Sequence, residues 1–255
     1  MGWQGVGGDN LSARWLKPKF LSLKANSYHF HLDSLKGGLI VSCQAGADSP
    51  LHGPLFMAAM AQCARMGGAV GIRANGPADI KAIKKATGLP VIGINKKNYS
   101  GSEVYITPVW EDAEEVIAVG SDIVALDGTP RPRPNDVSLS DVIEAIHKNS
   151  TALVMADISN LEDAIYADRC GADIIATTMS GYTPYTADKR HGPDLDLISA
   201  IAARIDKPII AEGRFWTPDQ AMEALRRGAL AVVIGTAITL PQAITSRFVR
   251  AMQKL

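Results

Sequence analysis

A single closed (β/α)8 barrel is the fold this sequence predicts, and three observations predict it. Short runs, nearly all apolar and rich in Val and Ile, recur eight times from Leu39 onward, as strands buried on both faces do. Segments with apolar residues at helical spacing separate them. The joints also repeat: glycine stands where helices end and proline where some strands begin. Eight such units in 255 residues fit one barrel. A doubly wound open sheet is the alternative, but no G-x-G-x-x-G marks the first strand–helix joint.

The elements follow in order. LIVSC (39–43) is the first strand, and GPLFMAAMAQCARM (53–66) is the helix after it, closed by Gly68. VGIRA (70–74) leads to PADIKAIKKA (77–86). Leu89-Pro90 opens VIGIN (91–95), with proline where no ladder donor is needed. EVYITP (103–108) reads as an extra extended piece in the loop after that third strand. DIVALD (122–127) follows Gly120, and Ser138 caps SLSDVIEAIHK (138–148). ALVMAD (152–157) precedes NLEDAIYADR (160–169), capped by Asn160 and ended by Gly171. DIIATT (173–178) and PIIAEG (208–213) are the sixth and seventh strands. Thr217 caps TPDQAMEALRR (217–227), Pro218 takes its first position, and Gly228 ends it before AVVIGT (231–236). Residues 34–255 form the barrel domain on this reading. Residues 1–33 are glycine-rich, then basic and aromatic (Trp3, Trp15, Phe20, Tyr28, Phe30), without period, and read as an N-terminal extension.

Composition excludes several classes. The chain carries 26 basic and 26 acidic residues, a formal net charge of zero, which gives no support for a nucleic-acid or membrane partner. Any anion has to be met by local charge. Cys43, Cys63 and Cys170 lack metal-ligand spacing, and so sparse a set suits a reducing compartment rather than a disulfide framework. No apolar run reaches membrane-span length, and the first residues lack the apolar core of a secretory signal. The expectation is a cytoplasmic, soluble protein.

Barrel chemistry sits at the C-terminal ends of the strands. The residues closing the runs are Gln44, Arg73, Lys96, Asp127, Asp157, Thr177 with Thr178, Glu212, and Gly235 with Thr236. Ionisable groups gathered at one end need partners or a purpose, because burial penalises each one. Simpler roles exist for most of them. Lys96 could be a solvated loop lysine. Arg73 and Asp127 could form a structural ion pair, and Asp157 could cap the helix at Asn160. Strand alternation puts Ile92, Ile94 and Lys96 on one side and Asn95 and Lys97 on the other, so one lysine shares a face with the core and Lys97 is left to solvent. Glu212 is harder to explain structurally, since it follows three apolar residues and precedes a glycine that lets a ligand near the backbone. Gly213-Arg214 and Gly235-Thr236 close adjacent strands where barrels often bind phosphate.

SCQA (42–45), GGAVGIRAN (67–75), LPVIGINKKNY (89–99), ITP (106–108), DIVALDGTPRPRP (122–134), MADIS (155–159), GADIIATTMSGYT (171–183), AEGRFWTPDQA (211–221) and AVVIGTAIT (231–239) occur in this order. Together they resemble the N-acylglucosamine-6-phosphate 2-epimerase family, also called N-acetylmannosamine-6-phosphate 2-epimerases, from about Gly38 to the C-terminus. The N-terminal extension and the GADSPLHGP loop (46–54) fall outside the match. The resemblance implies interconversion of N-acetylmannosamine 6-phosphate and N-acetylglucosamine 6-phosphate in sialic-acid catabolism, with no metal and no other cofactor. It implies Lys96 and Glu212 as the catalytic pair, Gln44, Arg73 and Asp127 around the sugar, and Gly213, Arg214, Gly235 and Thr236 near the phosphate. Inversion at C2 of the ring-opened sugar needs an acid/base group at C2 and charge stabilisation at O1. The residues leave open which of Lys96 and Glu212 removes the proton, and a Schiff base on Lys96 is the alternative chemistry. The competing functions are another phosphosugar isomerase on the same barrel and a non-catalytic phosphosugar-binding protein. A homodimer is expected, as for many barrels of this type.

Overall fold

The computed structural model describes residues 31–189 and 191–254. Residues 1–30 of the proposed extension, including Trp3, Trp15, Phe20, Tyr28 and Phe30, lie outside the described residues, whereas Leu32 and Asp33 belong to a 3-10 turn at the foot of the barrel. Eight parallel strands close in sequence order, β1 to β8, and β8 pairs back onto β1. They are β1 (Leu39–Cys43), β2 (Gly71–Asn75), β3 (Val91–Ile94), β4 (Ile123–Asp127), β5 (Leu153–Asp157), β6 (Ile174–Ala176), β7 (Ile209–Glu212) and β8 (Ala231–Ile234). The helices are α1 (Pro54–Met66), α2 (Pro77–Thr87), α3 (Trp110–Ile117), α4 (Leu139–Asn149), α5 (Leu161–Arg169), α6 (Leu195–Ala202), α7 (Pro218–Arg226), the single turn α8 (Thr236–Thr239) and α9 (Pro241–Met252).

The period-2 pleat divides each strand between two cores. Ile40, Ile92, Ile94, Ile123, Met155 and Ile210 point into the barrel. Val41, Val91, Val124, Val154, Ile175 and Ile209 point outward under the helices. A 3-10 turn at Leu32–Leu35 places buried Leu35 in the inner cluster. Strand β3 has no side chain at Gly93, where an added Cβ would stand 2.1 Å from Ser121 Oγ.

The local signals match the joints. Ser138 and Thr217 each form a full capping box, with Asp141 and Gln220 as the reciprocal partners, and Asn160 accepts from Asp163 N–H. Gly68, Gly120, Gly171 and Gly228 all have positive φ, as the residue ending a helix requires. EVYITP does belong to the loop after β3: Ile106 makes an isolated antiparallel bridge with Lys96. Several strands are shorter than their runs, β6 most of all. DIIATT stops as a strand at Ala176, and Thr177–Met179 turns as a 3-10 helix.

Candidate active site

A cavity of about 610 Å³ opens among the C-terminal strand ends. Gln44, Arg73, Lys96, Glu212, Gly213, Arg214, Gly235 and Thr236 all line it. Asp127 does not. Its fully buried carboxylate accepts from the N–H and hydroxyl of Thr129 (2.9 and 2.6 Å) and from Arg131 (2.5 Å), so the loop after β4 satisfies it. Arg73 does not pair with it either.

Arg73 instead spans two other strands. It grips Asp157 on β5 through both terminal nitrogens, NH1 at 2.9 Å and NH2 at 2.5 Å. NH1 also reaches Glu212 Oε2 on β7 at 2.6 Å. Asp157 is thus an ion-pair partner rather than a helix cap. Burial opposes the charge of Arg73, but the two carboxylates outweigh it and raise its pKa. Its Nε is buried without a partner, as is Gln44 Oε1 at the end of β1.

Two consecutive threonines hold Glu212. Thr177 Oγ1 accepts the Glu212 N–H (3.0 Å) and donates to the Glu212 carbonyl (2.9 Å). Thr178 Oγ1 lies 3.2 Å from Glu212 Oε2 and 2.6 Å from Asp157 Oδ1. In a strand the two side chains would face opposite ways; the 3-10 turn directs both toward β7. Glu212 Oε1 has no protein partner among the described residues and is open to the cavity. Burial first, and the nearby Asp157 charge second, raise the Glu212 pKa against the pull of Arg73 and Lys96.

Lys96 stands in the open mouth, exposed, and its amine bonds to no side chain among the described residues. Only its backbone is fixed, through N–H to Asn75 Oδ1 at 2.9 Å. The surrounding walls and the Arg73 charge lower its pKa, against Glu212 and Asp157. Lys97 faces the other way, as alternation requires, but it is not simply solvated. It pairs with Glu115 at 2.8 Å and Asp112 at 2.9 Å, which raise its pKa.

The glycine joints bring backbone to the cavity rim. Gly213 sits at φ +114°, a conformation side chains avoid, and a Cβ on Gly235 would lie 3.2 Å from Ser42 Cβ. Arg214 donates Nε–H to Gly192 O at 2.7 Å and NH1 to Ser180 O, and its guanidinium lies over Tyr182, 5.4 Å from the ring centre. Thr236 opens α8 directly after Gly235. Among the described residues no cluster of three or more His, Cys, Asp or Glu is arranged to hold a metal ion, and no helix is long and apolar enough to cross a membrane.

Sequence reading missed Tyr105, Asn75 and Trp216, which also line the cavity. Asn75 and Trp216 lie one or two residues beyond signals that were visible, GIRA and AEGR. Tyr105 comes from an irregular loop, which has no periodicity to aim a side chain.

A closed (β/α)8 barrel with an unpaired amine and a half-free carboxyl facing one cavity is the architecture of an acid–base enzyme acting on a small ligand. The family model described as "Putative N-acetylmannosamine-6-phosphate epimerase" matches residues 57–254. The chain belongs to that family. A curated relative from Caldanaerobacter subterraneus subsp. tengcongensis, named "Putative N-acetylmannosamine-6-phosphate 2-epimerase", is 52% identical over 86% of this chain and 92% of its own length. One from Clostridioides difficile with the same name is 49% identical over 87% of this chain and 99% of its own. The solved structure of the N-acetylmannosamine-6-phosphate 2-epimerase from Clostridium perfringens is 46% identical, with a TM-score of 0.85 over 88% of this chain and 97% of that one.

Proposed function

We infer that this protein interconverts N-acetylmannosamine 6-phosphate and N-acetylglucosamine 6-phosphate by removing and returning the proton at C2. Opening the sugar ring makes C1 an aldehyde, and the C2–H next to it becomes acidic because the carbanion is delocalised as an enolate. A neutral Lys96 amine takes this proton on one face, and a protonated Glu212 gives one to the other face. The reverse reaction starts from the opposite protonation states, so each group serves as acid and as base. Arg73 supplies positive charge beside the developing O1 anion. Gln44 contributes an amide next to the sugar. Gly213, Arg214, Gly235 and Thr236 take the phosphate. Residues 34–255 are the catalytic unit, working in the cytoplasm in sialic-acid breakdown; the three free cysteines suit a reducing compartment.

One observation carries this reading: an unpaired lysine amine and an open carboxyl oxygen front the same cavity, and the environment shifts their proton affinities toward each other. Proton NMR on N-acetylmannosamine 6-phosphate tests it, with appearance of the C2-inverted sugar phosphate as the expected outcome. Saturable binding without inversion would identify a phosphosugar-binding protein instead. Reduction with borohydride in the presence of substrate should leave no sugar attached to Lys96; a covalent adduct there would replace proton transfer with Schiff-base chemistry.

We further propose a homodimer. Among the described residues, helix α9 has no fully buried side chain, and Phe248 and Met252 are 67% and 70% exposed. A second copy covering that apolar face would remove this surface from water.

A further inference from the structure

We propose that Thr178 is a positioning residue that holds the proton of Glu212. A threonine hydroxyl has one proton to give, yet Thr178 Oγ1 stands between two carboxylates. The separations decide where that proton goes. Asp157 Oδ1 is 2.6 Å away and Glu212 Oε2 is 3.2 Å away, so the hydroxyl donates to Asp157. A lone pair of Oγ1 then faces Glu212 Oε2. An ionised Glu212 meets that lone pair with repulsion. A protonated Glu212 donates to it and completes a chain that runs from Glu212 through Thr178 to Asp157.

The charged neighbours pull both ways. Arg73 from β2 gives Asp157 two hydrogen bonds, which keeps Asp157 the anionic end of the chain, while its NH1 also stands 2.6 Å from Glu212 Oε2 and 3.4 Å from Thr178 Oγ1 and, with Lys96, favours the ionised form of Glu212. Lys96, from the loop after β3, brings an amine but no bond to Glu212. Tyr105, from the same loop, lines the cavity beside Asp157 and stays a neutral phenol, its pKa raised by burial and by the Asp157 and Asp127 charges. Thr177 spends its hydroxyl on the Glu212 backbone. Thr178 is therefore the only neutral side chain among the described residues that bonds the Glu212 carboxyl. The 3-10 turn after β6 is what delivers it there.

This inference rests on Glu212 being a proton carrier, but its test needs no substrate. Glutamate Cδ is labelled with 13C, and the Glu212 signal is assigned by its loss in Glu212→Gln. Its titration midpoint is then followed in wild type, Thr178→Ser and Thr178→Val. Thr178→Val keeps the shape and removes the hydroxyl, and it should move the midpoint toward acid by about half to one pH unit, the worth of one neutral hydrogen bond. Thr178→Ser keeps the hydroxyl and should titrate like wild type. With substrate, Thr178→Val should lower kcat up to about tenfold and leave KM in place. A Val midpoint that is unchanged or higher, or a Ser variant that follows Val, overturns the proposal. Loss of sugar turnover in wild type would instead overturn the proposed function and leave the titration result standing.

Discussion

Arg73 is the residue on which the site's charge balance turns. It is 1% exposed and pairs with both Asp157 and Glu212. Replacing it with Met leaves two carboxylates facing each other without a cation, and should cost about 3–5 kcal/mol of stability at pH 7.5. The sign of the pH dependence follows. In that variant the folded state holds protons on the carboxyls more tightly than the unfolded state does, so their folded pKa values lie above the unfolded ones. The deficit is full at neutral pH and shrinks as pH falls toward 5. Urea denaturation at both values checks this; a deficit that does not change with pH contradicts it. Lys96 makes a second residue-scale prediction. Its pKa is lowered, so the neutral amine appears below roughly pH 10.4, where an ordinary lysine titrates. Turnover needs one of Lys96 and Glu212 protonated and the other not, so its rate should fall on the alkaline side as the last proton leaves, with that fall centred below the ordinary lysine value. A fall centred at the ordinary lysine value would show an unperturbed amine. Alternation along VIGINKK separated the two lysines correctly, because a strand's pleat fixes which side each residue takes. Partners across the barrel were not legible in this way. Arg73 could be placed at a strand end, but choosing Asp157 and Glu212 over Asp127 depends on loop residues Thr129 and Arg131, which carry no periodic signal.

At the scale of elements, chemistry at the joints was the most legible feature. Ser138, Asn160 and Thr217 each announce a helix start through a side chain that satisfies its first free N–H groups. Ser138→Ala removes the capping box of α4, on an exposed joint away from the cavity, and should cost about 1 kcal/mol by urea denaturation with C2 exchange unaffected. A change in turnover without a change in stability would mean that α4 reaches the site. The strand ends were harder to read. DIIATT stays rich in β-branched residues to its last position, yet Thr177 and Thr178 leave the ladder for a 3-10 turn. Tertiary bonds to Glu212 overrule strand propensity there. This departure from regular structure falls beside the candidate proton carrier, where the site needs both hydroxyls on one side.

At the scale of the whole molecule, the barrel explains how residues distant in sequence meet. Gln44, Arg73, Lys96 and Glu212 come from the ends of four strands, and closure of β8 onto β1 puts the first and last of the chain's joints side by side. The eightfold rhythm was visible because each unit has its own pattern; the exposed apolar face of α9 was not, since an amphipathic helix looks the same whether it packs on its own chain or on another. Sedimentation velocity should find two copies in wild type and one in Phe248→Glu; a monomeric wild type would remove the dimer. Inversion at C2 by this chemistry requires Lys96 and Glu212 to serve one carbon. Turnover of N-acetylmannosamine 6-phosphate in deuterated water, read at C2 by NMR, tests that most directly. Wild type should place deuterium at C2 of the product from the first turnover, and Lys96→Met should show neither exchange nor inversion; near-wild-type exchange in Lys96→Met would contradict the account.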